Sequence, residues 1–126
     1  MPADRPAVRL RVRDGRFDLP VLDRLVGALG ARADMPLERL DDARLVAGAV
    51  LEQAWRVPAA GWLELRFATD DDMIRLAVGP LAADGAARVV AGTAVPGVGS
   101  LVERLARDWT AHIAPDGDES LEITLG

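Results

Sequence analysis

At 126 residues, half of them hydrophobic and 28% charged, the chain is sized for one domain, 1–126, around a single core. The absence of cysteine excludes disulfides, thiolate catalysis and cysteine-ligated metals, and a single histidine, His112, excludes a histidine-rich metal site and weighs against a serine–histidine triad. A formal net charge of −5 argues against nonspecific nucleic-acid binding, and because all 15 basic residues are arginine there is no lysine for a P-loop, a Schiff base or a general base.

No apolar run approaches the roughly 20 residues that span a bilayer. The opening MPADRPAVRL lacks the apolar stretch of a signal peptide. A cytoplasmic protein is therefore expected, with residues 1–6 as a flexible tail.

Residues 7–13, AVRLRVR, alternate strictly, with Val8, Leu10 and Val12 on one face and Arg9, Arg11 and Arg13 on the other. This is a half-buried strand whose arginines form either a phosphate-binding strip or a solvated outer face. Asp14-Gly15 reads as a turn. Asp18 reads as the cap of a helix, with Pro20 in its first turn and Phe17 stapled to Leu22. Leu22, Leu25, Val26 and Leu29 form the apolar stripe of this helix, and Gly30 is placed to end it in a left-handed conformation.

The longest helical pattern follows, from Pro36 to Arg56, with Asp34 as the expected cap. Leu37, Leu40, Ala47, Val50, Leu51 and Ala54 recur at three- and four-residue spacing, which buries one face along about five turns. WLELRFA (62–68) and MIRLAV (73–78) then read as a β-hairpin around the acidic tip Thr69-Asp70-Asp71-Asp72. Three aspartates in a row could serve a hard cation or simply a turn, which favours Asp for local reasons.

Residues 79–99, GPLAADGAARVVAGTAVPGVG, hold no sustained period of 2 or 3.6 and read as a long glycine-rich loop, functional or mobile. Ser100-Leu-Val-Glu103 has the form of a capping box opening a helix, and Trp109–Ala114 with Ser120–Leu125 reads as a closing hairpin. Strand pairs joined by tight turns, with helices between them, predict an α+β fold. We expect a two-layer sandwich with a largely antiparallel mixed sheet and the helices on one face.

The segments LERLDDARLVAGAVLEQAW, IRLAVG and GVGSLVERLARDW fall, over about residues 8–125, in the order of the motif helix, adenine-site strand and glycine-containing lid of a known family. In this the chain resembles the anti-sigma regulatory factor and serine-protein kinase group of the GHKL (Bergerat-type, histidine-kinase-like) ATPases. The resemblance implies a motif helix carrying a glutamate and, four residues on, a magnesium-holding asparagine followed by alanine. Ala54 matches that alanine, which aligns Gln53 with the asparagine and Ala49 with the glutamate. Ala49 cannot take a proton, and losing a general base costs about 10²–10⁴ in rate. Glu52 points roughly 100° around the helix and is a poor substitute. Gln53 keeps an amide oxygen but adds a methylene, against a magnesium–ligand distance of roughly 2.0–2.1 Å that tolerates little error.

The resemblance also implies an aspartate, in Asp-x-Gly-x-Gly, accepting the adenine amino group. Gly79 stands at that position, and Asp84-Gly85 is either a displaced motif or a loop turn. Gly97-Val98-Gly99 before Ser100 keeps the lid pattern, where amides at a helix N-terminus can hold phosphates. The expectation is therefore an anti-sigma-factor-like module with no catalytic residue and no required cofactor. Its vestigial nucleotide site would comprise Gln53, Gly79, Gly97, Gly99 and Ser100, with Gln53 the metal ligand if there is one. The implied partners are a sigma factor or a STAS-type antagonist, in a homodimer, with neither nucleic acid nor membrane. Trp55 and Trp62 are interface anchors or ordinary core residues. The alternative is a kinase that binds ATP and magnesium and phosphorylates a serine of an antagonist. A long helix that failed to face 79–99 would leave only an unrelated α+β domain.

Overall fold

The computed structural model describes residues 6–13 and 18–126. Its elements in chain order are β1 (Pro6–Arg13), α1 (Leu19–Arg32), α2 (Leu37–Ala54), β2 (Trp62–Asp70), β3 (Met73–Leu81), α3 (Gly85–Gly92), β4 (Ala94–Val95), β5 (Gly99–Ser100), α4 (Leu101–Leu105), β6 (Asp108–Ile113) and β7 (Glu119–Leu125). Pro6 belongs to β1 rather than to a tail. The expected Asp14-Gly15 turn and the Phe17 staple lie outside the described residues.

Five strands form one sheet in the order β1-β2-β3-β7-β6, and β4 and β5 form a small separate hairpin. Every pairing in the main sheet is antiparallel, so the expected mixed sheet is corrected. The reason lies in the first crossover. Two consecutive helices carry the chain away from β1 and back again, so β2 enters beside β1 in the opposite direction.

Alternation decides which face is buried. Leu63, Leu65 and Phe67 of β2, Ile74, Leu76 and Val78 of β3 and Leu121, Ile123 and Leu125 of β7 are all at most 1% exposed. They meet Leu22, Val26 and Leu29 of α1 and Val46, Ala47, Val50, Leu51 and Ala54 of α2 in one cluster. The helices thus cover one face and leave the other open, giving the two-layer α+β arrangement. Among the described residues, no helix is long and apolar enough to cross a membrane.

Three local readings change. Gly30 lies inside α1, buried, and the Leu40 side chain occupies the space where its Cβ would project. It serves the close approach of α1 and α2. The left-handed residue is Asp34, at φ 55°. Its N–H donates to the Ala31 carbonyl at 3.2 Å, and that of the buried Met35 to Gly30 at 2.9 Å, forming a Schellman-type end to α1. Asp34 consequently closes the first helix instead of capping the second, and Pro36 takes the N-cap position of α2. Leu37, expected in the buried stripe, is 72% exposed. It is the first residue of α2 and precedes the part of the helix that reaches the core. Asp18 does hold the N-cap position of α1, though its side chain makes no capping bond.

The largest revision concerns 79–99. This stretch is not a loop. It contains α3 and the β4–β5 hairpin, and α2 packs directly against α3 and α4. Ala86, Val89 and Val90 are the buried stripe of α3.

Candidate functional site

Ala49 and Gln53 are both half-buried on α2, Gln53 towards α3. The Gln53 side chain lies over Gly92, the last residue of α3: a Cβ there would collide with Oε1 and stand 2.7 Å from Cδ. The Gln53 amide therefore fills the seam between α2 and α3. Its room comes from a glycine on the opposite side.

Beyond Gly92 the chain turns through β4 and β5. Pro96-Gly97 forms a tight turn in which the Val98 N–H donates to the Val95 carbonyl at 2.9 Å and Gly97 takes φ 80°, the arrangement of a type II turn. Gly99, at φ 97°, completes the reversal. Ser100 then caps α4 as its spacing indicates, its Oγ accepting from the Glu103 N–H at 3.3 Å. The same hydroxyl donates to the Val90 carbonyl at 2.8 Å and lies 2.9 Å from Oγ1 of the buried Thr93.

Thr93 draws the remaining donors inward. Its carbonyl accepts from the Leu101 N–H at 3.1 Å, and its hydroxyl, which also reaches the Val90 carbonyl at 2.7 Å, is 3.4 Å from the Val102 N–H. The amides of Leu101, Val102 and Glu103 are the ones a phosphate at this helix start would need. They are spent within the fold. Gln53, Gly92, Thr93 and Ser100 thus form one continuous packed seam.

Gly79 does not join it. Inward-facing Val78 fixes Gly79 on the opposite, open face of the sheet, and Gly79 pairs with Glu64 of β2. A Cβ at Gly79 would stand 2.9 Å from the Glu119 carbonyl oxygen and 3.0 Å from the Ser120 Cβ. Its neighbour is backbone, which cannot swing aside. Gly79→Ala is expected to destabilise the fold by about 1–3 kcal/mol through overpacking, measured by urea denaturation. An unchanged midpoint would show that β3 and β7 are not this close. Gly79 is thus explained by strand packing, on the other side of the sheet from Gln53.

Asp84-Gly85 is the start of α3, with Asp84 left-handed at φ 62° and making no side-chain cap. The cap comes from elsewhere. Glu119, 8% exposed, accepts the Asp84 N–H on Oε2 at 2.7 Å and the Ala86 N–H on Oε1 at 3.2 Å. The sequence held one signal for it, a carboxylate in the inward register of Glu119, Leu121, Ile123 and Leu125. The aspartates of the 70–72 tip go separate ways: Asp70 pairs with Arg75 at 3.1 Å, Asp71 takes φ 53° in the turn, and Asp72 lies 4.0 Å from Arg39. Among the described residues, no cluster of three or more metal-ligating side chains forms.

The two tryptophans divide. Trp55, at the C-cap of α2, packs partly on the core with its Nε1 buried and unpaired. Trp62 lies on the open face of the sheet, with the Arg11 guanidinium 4.5 Å from its ring centroid. No protein-family model matches this chain, and no curated protein matches it significantly.

Proposed function

We propose that this chain is a regulatory module that acts by binding a protein partner, on a Bergerat-type frame whose nucleotide site has been given over to packing. The observation that carries this reading is the seam itself. The Leu101, Val102 and Glu103 amides are taken by Thr93 and Ser100, while the Gln53 amide lies over Gly92. Ala49 adds a methyl group where the resemblance implies a general base. Seating a phosphate there would require breaking these internal bonds, and the carbonyl of the buried Thr93 would lose the Leu101 N–H that it accepts from, at about 1–3 kcal/mol for a buried polar group left unsatisfied.

By the same resemblance the partner is a sigma factor or a STAS-type antagonist, met in the cytoplasm by a homodimer. Isothermal titration calorimetry with ATP and magnesium tests the reading against the kinase alternative. The expected result is no heat of binding in the submillimolar range, with the Gln53→Ala variant indistinguishable from the parent. Submillimolar binding that disappears in Gln53→Ala would establish a working nucleotide site and displace the proposal.

A further inference from the structure

The open face of the sheet is chemically lopsided. On β1 the alternation that buries Val12 turns Arg9, Arg11 and Arg13 outward, and on β2 it turns out Trp62, Glu64 and Arg66. One carboxylate serves three of these guanidiniums: Glu64 lies 3.8 Å from Arg9, 3.6 Å from Arg11 and 3.8 Å from Arg66. With Arg13, four arginines face one acid, a local charge of +3 on a chain whose formal net charge is −5. The side chains of Arg9 and Arg11 remain 60% and 57% exposed, so exposed guanidinium surface is left over. The far side of the same face is different, since Glu122 stands there with His112 at 3.6 Å. Arg75, outward on β3, is matched by Asp70 at 3.1 Å, so the unbalanced basic strip belongs to β1 and β2.

We propose that this strip docks an acidic, extended segment of a protein partner. Spacing selects the form of the ligand. Alternate residues of a strand lie roughly 6.5–7 Å apart on one face, so Arg9, Arg11 and Arg13 form a row at that interval. An extended peptide with acidic residues at every second position presents carboxylates at the same interval, and each can meet an arginine fork. Beside the row, Trp62 stacked under Arg11 borders a groove of about 360 Å³ whose lining includes Pro80, His112 and Ile113 but also the acids Glu64, Asp118 and Glu119, so it suits an uncharged side chain and not a further carboxylate. That groove can take an apolar side chain flanking the acidic run.

A single-stranded nucleic acid is the weaker occupant. Such ligands need successive aromatic platforms and a basic field. Among the described residues this face offers Trp62 as its sole aromatic, on a chain of net negative charge. The docking surface stands on observations separate from the α2–α3 seam, so its failure and a positive ATP titration would be independent results.

Fluorescence anisotropy with two labelled peptides tests it, Glu-Thr-Glu-Thr-Glu-Thr-Glu and the equally charged Glu-Glu-Glu-Glu-Thr-Thr-Thr. The alternating peptide should bind more tightly, and the Arg11→Glu/Arg13→Glu double variant should lose about tenfold or more in affinity. Binding should also weaken as sodium chloride rises from about 50 to 300 mM. Thermal melting checks that the double variant folds, and Arg13→Gln, the milder change, serves if it does not, with a smaller loss of the same sign. Equal binding of the two peptides, an unchanged affinity in the variants, or no binding at all would overturn the proposal. So would tighter binding of an oligo-dT strand, which would assign the face to nucleic acid.

Discussion

Glu119→Ala is expected to lower stability by about 2–4 kcal/mol and to loosen α3 before the rest of the fold. Hydrogen bonds to charged groups are worth about 1.5–3 kcal/mol, and a buried donor left without an acceptor costs about 1–3 kcal/mol. Glu119 supplies both acceptors for the start of α3, at 2.7 Å and 3.2 Å, and Ala86 is fully buried, so water cannot replace the carboxylate there. The helix has no substitute of its own: its first turn holds no acidic residue and the Asp84 side chain makes no cap. Glu119→Gln keeps one acceptor oxygen and should lose about half as much. Urea denaturation gives the global number, and hydrogen exchange at 85–92 gives the local one. A loss below about 0.5 kcal/mol, or exchange at α3 no faster than in the parent, would refute the role assigned to Glu119.

Phe67→Ala should have the larger effect, about 3–5 kcal/mol. Phe67 is 0% exposed and is, among the described residues, the largest of the fully buried side chains. It sits in a transverse row on the inner face, paired with Val8 on one side and Leu76 on the other, with Ile123 and Trp109 beyond. Neighbouring strands hold that row at fixed spacing by backbone hydrogen bonds, so the walls cannot close on the void that alanine leaves. A domain of this size has only about 5–15 kcal/mol in total, and its Tm should fall by roughly 10–20 °C in calorimetry. Phe67→Leu, which keeps most of the volume, should cost less than about 1.5 kcal/mol. Similar losses for the two variants would mean that the ring is not what fills this row.

These two residues show where reading the sequence succeeds and where it stops. Phe67 follows from alternation: WLELRFA fixes that Leu63, Leu65 and Phe67 share a face, and burial of that face follows because apolar surface leaves water. The Ser100–Glu103 cap is equally local, since both partners lie within one helical turn. Glu119 is of another kind. The amides it caps are 33 and 35 residues earlier in the chain, and no pattern around Glu119 names them.

The same distinction explains 79–99. Residues 85–92 do carry a buried three-and-four stripe in Ala86, Val89 and Val90, but the stripe is two turns long, flanked by glycines and capped from another strand. Its helicity is therefore tertiary. Gly30 misled for a related reason. A glycine near a helix end reads as a terminator, whereas Gly30, like Gly92 at the end of α3, is a gap filled by a side chain from α2, Leu40 in one case and Gln53 in the other.

By itself the sequence determined the alternation of the strands, the long α2, the hairpins and the arginine row, because each depends on residues within a few positions of one another. Only the tertiary structure decided that the sheet is antiparallel throughout and that Gly79 and Gln53 lie on opposite sides of it. It also decided that the amides at the head of α4 are already bound. Those outcomes depend on which distant groups reach hydrogen-bonding or packing distance, and that is set by the fold as a whole.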